Sequence, residues 1–403
     1  MHLRFLELEQ FRSYPRLDIP LPPSGMRLRG ANASGKSSLL EAIVMLATTR
    51  SPRSGSERET IRQGSGEDLG VPPFARIRAV VERRQDSIEI EIGLEVDPGR
   101  LGLVRKSIRL NGRKVRSIDA VGQVKAVLFS PEDVGLVSGS PSSRRRYLDL
   151  TISQLDPSYL RALSRYGRVL EQRNSLLKTL QRERIDPKGA LASGQLAFWD
   201  EELLLHGCAI VAGRVRAVGR LGLLAGEQYR RLSGGSLDVG YVPSLDLLGL
   251  DDGRRDEPGL VQTIVRRGFE RALYERRPEE VRRGVTVVGP HRDDVAFVGD
   301  GRDLGVYGSR GQQRLAVVAL KLAETELMTE SAGEAPVLLL DDVLSELDLG
   351  HRRQLEDAAT RIDAQAIVTG TDASEWTGSA LARLPGYLLE DGSIVADAKP
   401  PEG

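Results

Sequence analysis

Apolar and polar residues alternate from the first positions of the chain. Leu3, Phe5, Leu6 and Leu8 in MHLRFLELEQ predict a strand, and PLPPSG at 20–25 predicts a turn after it. A short strand follows, ending near Leu28. The period then changes, because Leu39, Leu40, Ile43, Val44, Leu46 and Ala47 in SSLLEAIVMLATT recur at helical spacing. Between strand and helix lies a glycine-containing loop, GANASGKS. From 75 to 116 the chain returns to period two, and Asn111-Gly112 is the dipeptide that a two-residue hairpin turn prefers. That section predicts antiparallel sheet.

From about 144 to 232 the texture becomes helical, broken around DPKGALASG, which predicts two antiparallel helices or a short coiled arm. SLDVGYVPS then predicts a strand, GLVQTIVRRGFERALYERR a helix, and GVTVVGP and DVAFVGDG two further strands. A helix from about 311 to 330 carries Leu315, Val318, Leu322 and Ala323 on one face. APVLLLDDVLSELD and QAIVTG predict buried parallel strands, since four adjacent apolar residues need cover on both faces. AKPPEG at the end is expected to be disordered, and no internal repeat is visible.

Composition narrows the class. With 403 residues, 40% of them hydrophobic, the chain can build two or three compact units. Its 57 basic and 57 acidic residues cancel, so a polyanion would be met by a local patch and not by a global field. Only 8 of the basic residues are lysine; arginine binds phosphate bidentately, although genome composition produces the same excess. The lone cysteine, Cys208, leaves no internal disulfide and fits a reducing compartment; its side chain is expected to be a buried small apolar group. The first residues lack the apolar core of a signal peptide, and stretches such as CAIVAG fall far short of the roughly 20 residues that span a bilayer. A soluble cytoplasmic protein without a membrane partner is expected.

The loop carries the first chemistry. Gly30, Ala31, Asn32, Ala33, Ser34, Gly35, Lys36 and Ser37 have the composition of a P-loop, in which successive main-chain N–H groups wrap a triphosphate and glycines keep side chains out of the way. Strand before and helix after are the context that motif requires. Lys36 would reach the β- and γ-phosphates, and the Ser37 hydroxyl would bind Mg²⁺. The metal also needs a carboxylate at a strand end, which Asp341 supplies; Asp342 beside it would orient or deprotonate the attacking water. A helix-capping pair after a core strand is the plainer alternative. The Lys36-to-Asp341 spacing takes in most of the chain, whereas simple P-loop kinases and small GTPases keep these parts close. A second phosphate-ready stretch, YGSRGQQR, places Ser309, Arg310, Gly311 and Gln312 at a helix N-terminus. One triphosphate needs one cradle in its own chain, so the second suggests closure on the nucleotide of another copy; an ordinary N-capped helix would look the same.

Taken together, GANASGKSSLLEA, YGSRGQQR and LLLDDVLSELD resemble the RecF family of bacterial DNA replication and repair ATPases, relatives of the ABC-type heads of chromosome-maintenance proteins. The likeness covers most of the chain, through FRSYPRLDIPLP, VLFSPEDVGLVSGSPSSRRRYLDL, GPHRDDVAF and VTGTD. It implies an α/β ABC-type P-loop head with an antiparallel β section and an inserted helical arm, divided as 1–140, 141–284 and 285–397 with a tail at 398–403. It makes Gly30–Ser37 the Walker A loop, Asp341 and Asp342 Walker B, Ser309–Gln312 the signature, and Ser345 and Asp348 part of a D-loop. It also implies ATP and Mg²⁺ as cofactors, an ATP-dependent homodimer gripping gapped or single-strand/double-strand junction DNA, DNA-dependent hydrolysis that releases it, slow on the hypothesis that goes with Thr369 in place of a switch histidine, and RecR and RecO as companions in recombinase loading.

Two departures qualify the likeness. The family carries glycine where Ala33 stands, and a methyl group there is tolerable with negative φ, so nucleotide binding is expected to survive, weakened. Where transport cassettes carry a switch histidine, QAIVTG ends near Thr369, whose hydroxyl would touch the γ-phosphate only weakly. Arg144, Arg145 and Arg146 are candidates for DNA phosphate contact, as are the pairs at 266–267, 276–277 and 282–283, although each pair alone reads as a solvated helix face. Arg12 would lie near phosphate or sit at an exposed strand end, and His291 would approach a partner's nucleotide or stabilise a turn. A cassette ATPase serving a transporter and a DNA-binding protein with a vestigial ATPase are the rival functions.

Overall fold

A computed structural model describes residues 1–100, 102–247, 258–343, 350–352, 355, 356, 364–372, 376, 379–390 and 392–397. In chain order its strands are β1 (His2–Phe11), β2 (Tyr14–Pro20), β3 (Gly25–Arg29), β4 (Phe74–Glu82), β5 (Ser87–Val96), β6 (Val104–Leu110), β7 (Arg113–Val115), β8 (Ala126–Phe129), β9 (Leu237–Val242), β10 (Asp294–Gly299), β11 (Arg302–Asp303), β12 (Val337–Asp341), β13 (Ala366–Gly370), β14 (Gly386–Glu390) and β15 (Ser393–Ala396). The helices are α1 (Lys36–Thr48), α2 (Ser117–Ala120), α3 (Gly135–Ser138), α4 (Pro141–Leu155), α5 (Pro157–Arg182), α6 (Ala190–Ser233), α7 (Pro258–Arg283), α8 (Leu304–Tyr307) and α9 (Arg310–Ala332).

The chain forms two compact units. The first comprises Met1–Val134, Arg231–Gly234 and Val317–Gly403; the second comprises Gly135–Arg230 and Gly235–Ala316. This is an α/β head with a helical insertion, but the insertion does not end at 284. Residues 285–316 group with it because β10 pairs with β9 along six residues, from Asp294↔Val242 to Gly299↔Leu237.

In the first unit two sheets share one core. The antiparallel sheet runs β2-β1-β4-β5-β6-β7, and its alternation buries every second residue of β4 and β5. Asn111 and Gly112 turn β6 into β7 with φ of 48° and 75°, the left-handed pair that the hairpin requires. The other sheet runs β15-β14-β3-β13-β12-β8, all parallel except β15. β12 and β13 are buried at every position, as their unbroken apolar runs predict. Leu3, Leu6 and Leu8 from one sheet, Met26, Leu28, Leu339 and Ile367 from the other, and Leu39, Ile43 and Leu46 of α1 pack into a single cluster. Burying these faces on folding is what fixes α1 against the parallel sheet.

In the second unit, α5, α6 and α7 carry the long helical patterns, with the predicted break between α5 and α6. GVTVVGP is not a strand. Its amides go to side chains instead of a neighbouring ladder: Thr286 N–H donates to Asn174 Oδ1 at 2.8 Å, Val287 N–H to Glu280 Oε1 at 2.9 Å, and Gly289 N–H to Ser244 Oγ at 3.0 Å. The same region holds a buried charge network. Arg173, fully buried, donates to Asp200 at 2.8 Å, Glu280 at 2.7 Å and the Thr286 hydroxyl at 2.8 Å, so its charge is matched on every side. Among the described residues no helix is long and apolar enough to cross a membrane.

Candidate nucleotide-binding site

The strand order β3-β13-β12 brings distant sequence together at the carboxyl ends of three interior strands. The P-loop leaves the carboxyl end of β3, Asp341 ends β12, and Thr369 of β13 lies between them, in register with both Leu28 and Asp341. Ligands of parallel sheets bind at this end of the strands.

Glycine is required at two loop positions. A Cβ at Gly30 would come within 2.8 Å of Ser34 Oγ and 2.9 Å of the Leu389 carbonyl oxygen, and Gly35 has φ of 117° with Ser13 Oγ only 2.7 Å from where a Cβ would stand. Gly35 caps α1 without a side-chain hydrogen bond, so the first amides of the helix are not closed off by a capping side chain. Tyr14, buried, donates its hydroxyl to the Gly35 carbonyl at 3.0 Å and braces the loop from the β1–β2 turn. Arg12 serves that turn as well: its Nε and Nη2 donate to the two carboxylate oxygens of the buried Glu41 at 2.9 and 2.7 Å.

Ala33 overturns an expectation. Its φ is +63°, in the left-handed region that glycine occupies freely and alanine does not, so the methyl group is carried with strain.

Lys36, 4% exposed, folds its ammonium back onto the carbonyls of Gly30 at 2.7 Å and Ala31 at 3.1 Å, and stands 4.0 Å from Asp342 Oδ2. Ser37 Oγ donates to Asp341 Oδ1 at 2.8 Å across 304 positions of sequence. A hydroxyl and a carboxylate are the hard oxygen donors that Mg²⁺ prefers. Ser34 Oγ is buried in the loop without a hydrogen-bond partner, a polar atom that a phosphate oxygen would satisfy. The residues therefore fit a Mg²⁺-bound triphosphate.

Thr369 differs from its expected role. It is 1% exposed, with its hydroxyl engaged by Asp341 and Asp342 and not turned outward.

The remaining candidates belong to the second unit or fall elsewhere. Ser309, Arg310, Gly311 and Gln312 are all exposed, and they open α9 with a reciprocal capping box: Ser309 N–H donates to Gln312 Oε1 at 2.9 Å and Gln312 N–H to Ser309 Oγ at 3.2 Å. Arg144 is not a free phosphate reader, because it forks onto both oxygens of Asp294 at 2.6 and 2.9 Å. Arg145 donates to the Asp293 carbonyl at 2.8 Å, while Arg146 is exposed on α4. Arg266, Arg276, Arg277 and Arg283 pair with carboxylates. His291 holds a turn: it accepts from the Tyr166 hydroxyl at Nδ1, 2.7 Å away, and meets the Thr286 carbonyl with Nε2 at 3.1 Å, and burial lowers its pKa to about 4. Cys208 is buried, its thiol pushed up to about 12 by desolvation. Ser345 and Asp348 lie outside the described residues, as does the tail from 398.

The RecF/RecN/SMC N terminal domain family matches residues 2–381. The DNA replication and repair protein RecF of Chloroflexus aggregans is 46% identical over 402 residues, covering 98% of this chain and 100% of its own. The chain belongs to the RecF family. The RecF protein of Thermomicrobium roseum is 45% identical over 398 residues, covering 98% of this chain and 99% of its own. A solved structure described as the recombination mediator protein RecF-ATPrS in the RecFOR pathway superposes with a TM-score of 0.81 at 31% identity over 98% of each chain. A second, described as RecF-ATP in that pathway, gives 0.82 at 29% identity, again over 98% of each chain. An Smc head bound to part of ScpA, 16% identical with a TM-score of 0.53 over 98% of each chain, shares the fold.

Tyr14 escaped the sequence-level reading, although it stands in the FRSY stretch; nothing local signals that its hydroxyl meets the P-loop. Thr369 was visible, but its partners at 341 and 342 were not.

Proposed function

We propose that this chain binds and slowly hydrolyses ATP in DNA repair, its P-loop site being completed by the Ser309–Gln312 stretch of a second copy, so that ATP gates a dimer on gapped or junction DNA. In that role it assists recombinase loading, with RecR and RecO as companions. The observation that carries the proposal is the meeting of Lys36, Ser37, Asp341 and Asp342 at the carboxyl ends of the parallel strands. The RecF relatives named for DNA replication and repair, and the RecF structures with ATP and its analogue, support it.

Lys36 exchanges the Gly30 and Ala31 carbonyls for phosphate oxygens, a substitution that strengthens a charge-assisted bond. Ser37 and Asp341 would hold Mg²⁺, which would supply positive charge against the phosphates. Asp342 orients the attacking water from beside Lys36. Exposure of the Ser309–Gln312 stretch, and of Val306 and Tyr307 just before it at 71% and 73%, supports association through this surface.

Binding to gapped DNA, with mass measured in solution under ATP, ADP and no nucleotide, tests the gating. The wild type is expected to dimerise and hold DNA with ATP only, and Lys36→Ala with none. Dimerisation and DNA binding that ignore both nucleotide and Lys36 would overturn the proposal and favour a vestigial ATPase.

A further inference from the structure

Asp342, the carboxylate beside Lys36, sits in a backbone conformation that L residues avoid. Its φ is +51°, immediately after the extended end of β12. Aspartate tolerates the left-handed region better than most side chains, but such a residue persists only where its surroundings hold it. The surroundings here come from β13. Asp342 N–H donates to Thr369 Oγ1 at 3.1 Å, and the same hydroxyl lies 3.1 Å from Asp341 Oδ1 and 3.3 Å from the Leu340 carbonyl. A threonine hydroxyl has one proton and accepts through its lone pairs. It therefore accepts from the Asp342 amide and gives its proton toward Asp341, whose Oδ1 also receives the Ser37 hydroxyl. One buried side chain is thus bonded to the main chain of one aspartate and the carboxylate of the other.

We propose that Thr369 is a positioning residue for the Asp341–Asp342 pair. It locks Asp342 in the left-handed turn that aims its carboxylate toward Lys36, and it orients Asp341 toward Ser37. The proposal deepens the nucleotide-site assignment and rests on it for its consequence in hydrolysis, while the positioning itself is readable without nucleotide. It also replaces the expected outward contact of Thr369 with γ-phosphate, since the hydroxyl is committed within the protein.

Thr369→Val keeps the shape and removes the hydroxyl; Thr369→Ser keeps the hydroxyl and removes the methyl group. Hydrogen exchange at the Asp342 amide, followed by mass spectrometry or NMR in nucleotide-free protein, is expected to quicken about tenfold or more in Thr369→Val, the effect of losing one buried bond, and to stay near wild type in Thr369→Ser. For the loaded protein, Thr369→Val is expected to bind ATP in EDTA within about twofold of wild type but to lose about tenfold in turnover, with Thr369→Ser restoring it. Should Thr369→Val not fold, Thr369→Ser and Thr369→Ala provide the same comparison. Equal impairment of Ser and Val variants, or unchanged exchange in Thr369→Val, overturns the positioning role. Quickened exchange in Thr369→Val, together with a wild-type protein that neither binds nor hydrolyses ATP, would leave the positioning standing and defeat the nucleotide-site assignment instead.

Discussion

Replacing Ala33 by glycine should stabilise the protein. Ala33 is exposed and its φ is +63°, so the substitution removes a methyl group that packs on little and relieves a left-handed alanine. The left-handed region costs an L residue roughly 1–2 kcal/mol that glycine does not bear. Glycine loses more freedom on folding, which returns about 0.4–1 kcal/mol. The difference is a net gain on the order of 0.5–1 kcal/mol, a rise of about 1–3 °C in the melting midpoint of the unit that holds the loop. Because the structure has the loop already in this conformation, the relief is common to free and bound protein, and ATP affinity should move by less than about twofold. Differential scanning calorimetry and an equilibrium nucleotide titration read the two quantities. A melting point that falls or does not move would refute the strain at Ala33.

Other expectations follow from the bonding. His291 is neutral in the fold with its pKa near 4 against an ordinary value near 6.5, so the unfolded chain binds the extra proton between those values and stability falls with pH through that window; at pH 5 the loss relative to pH 8 is about 2 kcal/mol. Urea unfolding at the two pH values should show that loss, and His291→Gln should flatten it. Tyr14→Phe deletes the donor to the Gly35 carbonyl while keeping the buried ring, and chemical denaturation should register about 1 kcal/mol of destabilisation. If α4 meets DNA, Arg146→Ala, at an exposed side chain, should lower the salt slope of binding by about one, whereas Arg144→Ala should leave that slope nearly unchanged, because that guanidinium is held within the protein by both oxygens of Asp294.

Much of the fold is legible in local pattern. The strand–loop–helix at the P-loop, the Asn111-Gly112 hairpin and the two buried parallel strands all follow from period, turn chemistry and continuous apolar runs. What failed depends on partners far away in sequence. GVTVVGP has the composition of a strand, yet Asn174, Glu280 and Ser244 take its amides. The arginine run at 144–146 looks like an anion-binding patch, yet Arg144 is held by the Asp294 carboxylate and Arg145 by the Asp293 carbonyl, about 150 positions on. The boundary expected at 284 missed the β9–β10 pairing, which no local signal encodes. The S-x-x-Q pattern from Ser309 to Gln312, by contrast, carried its capping box in plain view. At the candidate site the residue types were readable but the backbone was not, and the left-handed φ of Ala33 and of Asp342 has no local signal in the sequence.

Complementation between two inactive variants tests the composite site most directly. Lys36→Ala spoils the P-loop and leaves the signature stretch intact; Ser309→Arg does the reverse, on an exposed residue. ATP hydrolysis is measured for each alone and for an equimolar mixture with gapped DNA. Activity restored in the mixture alone is the result predicted by a nucleotide site shared between two copies. Two silent variants that stay silent when mixed, while each still folds and Ser309→Arg still binds ATP, would contradict it.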